Sequence, residues 1–334
     1  MAVRYVLIAC MMADAKPRWG AIAALGTLSL LSACGVLKQI VFTSGAADEL
    51  PHGERQALPF VLLAIAMCGL AVMRGVEWPR GRAFWNAVLI GLGLFVVPAW
   101  LISYADAWIP AFGRTALLTL TPVFAFVFEP YLNSDIGVNE DGDEVAPTAN
   151  RNDLVAGLVA LVGALCVFPA GIPASIEAGA ALCAVIAAAA CIAAANCKAV
   201  ACVPEEQDST SRLSLLPFIA IATATAAIAF AVGSLLFEHP AWAWQLLAPE
   251  LIWAAIIEGP GLLLLFWLMP RMSATRMTTR FLWGPLIAVI LGAALIRAVL
   301  AWRTWLGLLL MAAGAGYLLL APKPEPESTG LSLR

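Results

Sequence analysis

The sequence predicts an all-α integral membrane protein of ten transmembrane helices, built as two five-helix repeats of inverted topology. Three observations lead to that reading. Of the 334 residues, 62% are hydrophobic and 12% charged, against about 45–50% and about 25% in a soluble domain. Apolar stretches near the roughly 20 residues that cross a bilayer core recur along the chain. The features of the first half then return in the same order about 160 residues later.

The predicted spans are 19–42, 56–73, 84–104, 107–128, 154–172, 178–200, 214–237, 246–269, 274–296 and 303–321. Residues 1–18 precede them as a cytoplasmic segment too short to cross. That segment lacks the flanks of a signal peptide, and Met11 or Met12 is an alternative start. With an inner N-terminus, fourteen Lys and Arg residues fall on the inner side, and Arg55, Arg297 and Arg303 on the outer. That bias places both termini, including the tail 322–334, in the cytoplasm of a plasma (inner) membrane protein. Trp78, Trp85, Trp108, Trp242, Trp244, Trp302 and Trp305 fall at span ends, as an aromatic belt requires. The Ala-rich sixth span suits close helix packing. Eight cysteines lie mostly within spans and form no CxxC pair, which points to small apolar packing residues.

The repeat divides the spans into 19–172 and 173–321. "TPVFAF" in span four answers to "GPLIAV" in span nine, and "AGLVALVGAL" in span five to "LGLLLMAAGAG" in span ten. Lys38 falls on Lys198, Pro98 near Pro260 and Arg114 near Arg276. Because five is odd, the second copy enters the membrane from the opposite side, an arrangement characteristic of transporters.

On these residues the chain resembles the drug/metabolite transporter superfamily, EamA-like branch. "FGRTALLTLTPVFAFVF" and "SATRMTTRFLWGPLIAVILGAAL" carry the likeness, with Lys38, Pro122, Pro285 and the spaced Gly307 and Gly314. The resemblance implies ten helices, a central cavity lined by helices 1, 3, 4, 6, 8 and 9, and export or exchange of small metabolites. The chain departs from that pattern in three places. Trp19 stands at the start of helix 1 rather than in its middle, Arg297 and Ala298 replace an acidic residue after helix 9, and the connection 133–153 is long and acidic.

Candidate site residues follow from the cost of polar groups in lipid. Glu258 sits mid-span in "WAAIIEGPGLLLLFW", where Gly259, Pro260 and Gly261 weaken the helix. Hydrocarbon favours the neutral acid unless a cation is close, so Glu258 can exchange protons or meet a substrate amine; a structural ion pair is the bland alternative. Arg114 offers a fork of donors to a carboxylate or phosphate, or bridges to Glu258, or snorkels. Arg276 and Arg280 line an inner vestibule or are simply positive-inside charges. Lys38, like Lys198, reaches the cavity or snorkels. Pro98, Pro122, Pro260 and Pro285 read as kinks suited to hinging.

Other classes find no support in the sequence. No P-loop, GxSxG or GxGxxG occurs, and the loops hold no paired catalytic residues, so neither an enzyme nor a cofactor is expected. Setting Gly142 as an EF-hand glycine puts Gly137 and Thr148 where acids belong, and His52 and His239 lie in different loops, so no metal site is expected. A net charge of −3 gives no footprint for nucleic acid. The expected partners are the bilayer, a small-molecule substrate of the amino-acid or organic-anion class, and protons. A non-transporting scaffold acting through the acidic loop is the alternative function.

Overall fold

Length and apolar composition decide the architecture: with no water in hydrocarbon, each spanning segment satisfies its backbone internally as a helix. The structure, a computed structural model, describes residues 17–42, 51–132, 151–168, 175–202, 215–238, 244–297 and 300–320. Among these residues there is no strand, and eight helices are long and apolar enough to cross a membrane. Two further apolar helices, Gly20–Gly35 and Asn152–Val167, are shorter. They fall in the predicted first and fifth spans, the first of them inside a helix that runs Pro17–Phe42, so the described residues form an all-α membrane protein with eight helices that meet both length and composition. The N-terminal segment, most of the acidic 133–153 connection and the 322–334 tail lie outside the described residues.

In chain order, α1 is Pro17–Phe42, α2 His52–Met73 and α3 Arg82–Ala105. The next helix is broken into α4a, Ala111–Leu118, and α4b, Thr121–Leu132. Then come α5 Arg151–Val167, α6 Ile176–Cys202 and α7 Leu215–Phe237. Helix α8 runs as Trp244–Trp253, Ala254–Glu258 and Gly259–Leu268. It is followed by α9a Ala274–Thr278, α9b Arg280–Ile296 and α10 Trp302–Leu320.

Helices α3 and α8 share a defect. Each contains one π-helical stretch, Leu92–Val96 and Ala254–Glu258, with Pro98 and Pro260 in the first turn beyond it. A proline ring presses on the carbonyl four residues back, and a widened turn relieves that clash. A second shared defect breaks α4 and α9. Thr119 Oγ1 donates to the Ala116 carbonyl, and Thr279 Oγ1 donates to the Arg276 carbonyl at 2.7 Å. Hydroxyls that bond back into their own helix bend it. Pro122 is then the second residue of a new helix, where its missing N–H costs nothing, rather than a mid-helix kink. Pro285 does lie inside its helix, α9b.

Packing joins α2 to α7, α5 to α10, α3 to α6, α4b to α6 and α1 to α9b. The α2–α7 contact stacks Phe60 on Phe230, ring centroids 5.6 Å apart, while Gly233 makes room for the Trp100 ring. Along α5–α10 the backbones touch through small residues: a Cβ placed on Gly307 meets the Gly163 carbonyl oxygen at 2.6 Å. Lipid supplies no hydrophobic drive between helices, so such close approach does the work of association. Side chains such as Ile65, Val72, Leu236 and Leu309 point outward, where acyl chains accept them.

Candidate functional site

A cavity of about 410 Å³ opens among α1, α2, α3, α4a, α8 and α9b. Its wall is largely apolar, formed by Leu28, Leu31, Phe60, Phe95, Leu118, Leu262, Leu265 and Phe281. Five polar side chains interrupt it: Ser32, Gln56, Thr115, Glu258 and Arg280. Helix α2 contributes where the resemblance expects α6, which supplies no lining residue.

The local folding of each segment explains how these groups arrive there. Glu258 ends the π-helical stretch of α8, and the surplus residue in that stretch turns its side chain relative to a regular helix. The spacing Glu258, Gly261, Leu262, Leu265 then follows a helical face, and Gly261 faces Leu28 and Leu31 of α1. Arg280 is the first residue of α9b, immediately after the break at Thr279, so the break aims it inward. Its guanidinium carbon lies 4.8 Å from the ring centroid of Phe281, a cation–π distance.

Acceptors outnumber strong donors around this space. Ser32 and Thr115 give their hydroxyl protons to the carbonyls of Leu28 and Ala111, both at 2.9 Å, which leaves oxygen lone pairs for a ligand. Pro59 and Pro285, also in the wall, have no N–H for the carbonyls of Arg55 and Phe281. Arg280 and the Gln56 amide are the donors. Such an arrangement can hold a small molecule with a cationic donor end near Glu258 and an anionic end near Arg280.

The structure therefore separates the sequence candidates. It brings Glu258, Arg280 and Pro285 to one cavity. Arg114 stays outside the lining and forms an ion pair with Asp106, the carboxylate being nearly half exposed. Arg276 lies in α9a, and Pro98, Pro122 and Pro260 lie in their helices, none of them among the lining residues. Lys38 belongs to α1, but its side chain lies outside the described residues; Lys198 is half-buried on α6 and does not reach the cavity. Sequence reasoning missed Gln56, Ser32 and Thr115. The one available signal was Pro59, three residues from Gln56, a proline inside α2 that the reading of kinks passed over. Among the described residues, no group of three or more His, Cys, Asp or Glu could hold a metal ion.

No protein-family model and no curated protein matches the chain. Solved structures do: one described only as "Crystal structure of protein" is similar with a TM-score of 0.66 at 16% identity, over 90% of this chain and 99% of that one. At that identity the likeness concerns the fold alone: the helical architecture seen here is one that an experimentally solved protein also adopts along nearly its whole length.

Proposed function

We propose that the chain is a secondary transporter of the EamA-like drug/metabolite type, with ten spans in two inverted five-helix repeats that expose one central cavity alternately to the two faces. The substrate is a small zwitterionic or anionic metabolite, exported or exchanged across the plasma (inner) membrane, and Glu258 couples its passage to protons. Both termini lie in the cytoplasm.

The observation that carries this reading is the cavity itself, because it holds an acid and a guanidinium, each on a helix long and apolar enough to cross a membrane. A charged group at the centre of a spanning helix costs about 2.5–3.5 kcal/mol, and such residues mark substrate or ion pathways. A volume of 410 Å³ lies in the range of small-molecule sites.

The paired defects support the repeat. The π-stretch and proline of α3 answer to those of α8, and the threonine-bonded break of α4 to that of α9. Contacts match as well: α2–α7 and α5–α10 join equivalent helices, and α1–α9b answers to α6–α4b. A set of contacts that survives exchange of the halves is what a pseudo-two-fold axis produces.

The test is uptake into proteoliposomes with amino acids and small carboxylates, comparing the native chain with Glu258→Gln and Arg280→Ala. Glu258→Gln is expected to abolish the pH dependence of accumulation. Arg280→Ala is expected to remove the preference for a free carboxylate over its methyl ester. Concentrative uptake with unchanged pH dependence in Glu258→Gln removes the coupling role. Loss of every stabilising ligand in a thermal screen of the native protein removes the substrate site.

A further inference from the structure

We infer that Glu129 and Thr275 form a latch that closes one face of the cavity, and that among the described residues the outer face has no counterpart to it. This rests on the alternating-access reading above and adds to it the contact that holds one of the two states. Glu129, near the end of α4b, reaches across to the start of α9a. Its Oε2 accepts from the Thr275 backbone N–H at 3.2 Å and from the Thr275 hydroxyl at 2.5 Å. One carboxylate oxygen thus ties the end of a helix in the first half to the start of a helix in the second.

The contact is asymmetric. The alignment that puts Pro122 on Pro285 puts Glu129 on Gly292, and the alignment that puts Arg114 on Arg276 puts Thr275 on Gly113. In the register of the paired breaks, Thr119 on Thr279, Thr275 answers to Thr115 and Glu129 to Val289, so in either register no carboxylate stands at the opposite end to make the tie. The packing follows suit. Helix α4b lies against α9a, whereas α4a and α9b stand on either side of the cavity, contributing Thr115 and Leu118 from one and Arg280, Phe281, Gly284 and Pro285 from the other. The cavity wall takes the middle of α1, takes α2 and α4a from ends predicted to face outward, and takes Leu262 and Leu265 of α8 with Arg280 and Phe281 of α9b from the inner side. The latch lies beyond its far end, on the face predicted to be cytoplasmic.

Latch and site share a lever. Arg280 follows Thr275 by little more than one turn, with the break at Thr279 between them. A ligand that draws on Arg280 therefore pulls against the segment that Glu129 holds.

Cys197 of α6 reports on the state of the latch without any knowledge of the substrate. It is fully buried in a cluster with Ala125 of α4b and Ala274 of α9a, so parting α4b from α9a uncovers it. The reconstituted chain is treated with a small water-soluble maleimide, and labelling at each native cysteine is read by mass spectrometry. Hydrogen bonds to a charged group commonly shift a two-state equilibrium by about tenfold. Glu129→Ala is therefore expected to raise the labelling rate of Cys197 about tenfold, and Thr275→Val, which keeps the shape and the backbone bond, to raise it less. Labelling of the half-buried Cys166, beside the α5–α10 seam, should be unchanged in both variants. Unchanged labelling of Cys197 in both overturns the latch, and so does a parallel rise at Cys166 in both, which means general unfolding. If Glu129→Ala alone unfolds, Thr275→Val decides. The readout needs no transport: a chain that moves no substrate can still show release, and a transporter without a latch shows uptake with unchanged labelling.

Discussion

A methyl group added at Gly307 tests how tightly α5 and α10 are joined. In α10 the new Cβ would meet the Gly163 carbonyl oxygen at 2.6 Å, Val167 Cγ2 at 2.7 Å and Cys166 Cβ at 3.0 Å. The first obstacle is backbone, so no rotamer change relieves it, and α5 and α10 have to move apart. Overpacking of this kind costs about 1–3 kcal/mol, and a clash with backbone belongs at the upper end. At Gly316, nine residues on in the same helix, an added Cβ would meet nothing within 4 Å. Gly316→Ala therefore gains helix propensity without a clash, up to about 1 kcal/mol. The two alanines should differ by about 3 kcal/mol, or roughly 6–12 °C in thermal midpoint at about 2–4 °C per kcal/mol. The assay is thermal unfolding of both variants and the native chain in one detergent, followed by circular dichroism. Equal midpoints for the two alanines refute the argument that the α5–α10 backbones touch.

Two further outcomes follow from the site. Arg114→Ala removes a partly exposed pair with Asp106, which is worth about 1 kcal/mol or less; thermal unfolding should change little, and ligand binding, measured by calorimetry, should not change at all. Pro260→Ala restores a backbone donor next to the π-stretch of α8 and should raise the thermal midpoint while slowing uptake several-fold, measured as initial rates in proteoliposomes.

Hydropathy made the membrane class legible, because backbone hydrogen bonding in lipid leaves few options. Glu258 was legible for a similar reason: an acid next to Gly-Pro-Gly in a span is too costly to be idle. Rotation about each helix axis was not legible. The same cost argument singled out Arg114, whose partner Asp106 lies only eight residues back and holds it outside the cavity. Arg280 looked like an ordinary inner-side charge until the break at Thr279 turned it inward. Gln56, Ser32 and Thr115 carry no charge and disturb no pattern, so only the meeting of six segments reveals them. The tie between Glu129 and Thr275 joins residues far apart in sequence, and no local spacing encodes it.

The π-stretches have a mechanical consequence. Each holds one residue beyond the regular count, and one residue amounts to about 100° of helical rotation. Whatever lies past Val96 or Glu258 is therefore set at an angle that an unbroken α-helix would not give. Moving the surplus residue along the chain would swivel one end of the helix against the other while the backbone stayed bonded throughout. Deleting a single residue from Leu92–Val96 would lock that swivel, leaving the same helix with its two ends permanently out of phase with their neighbours.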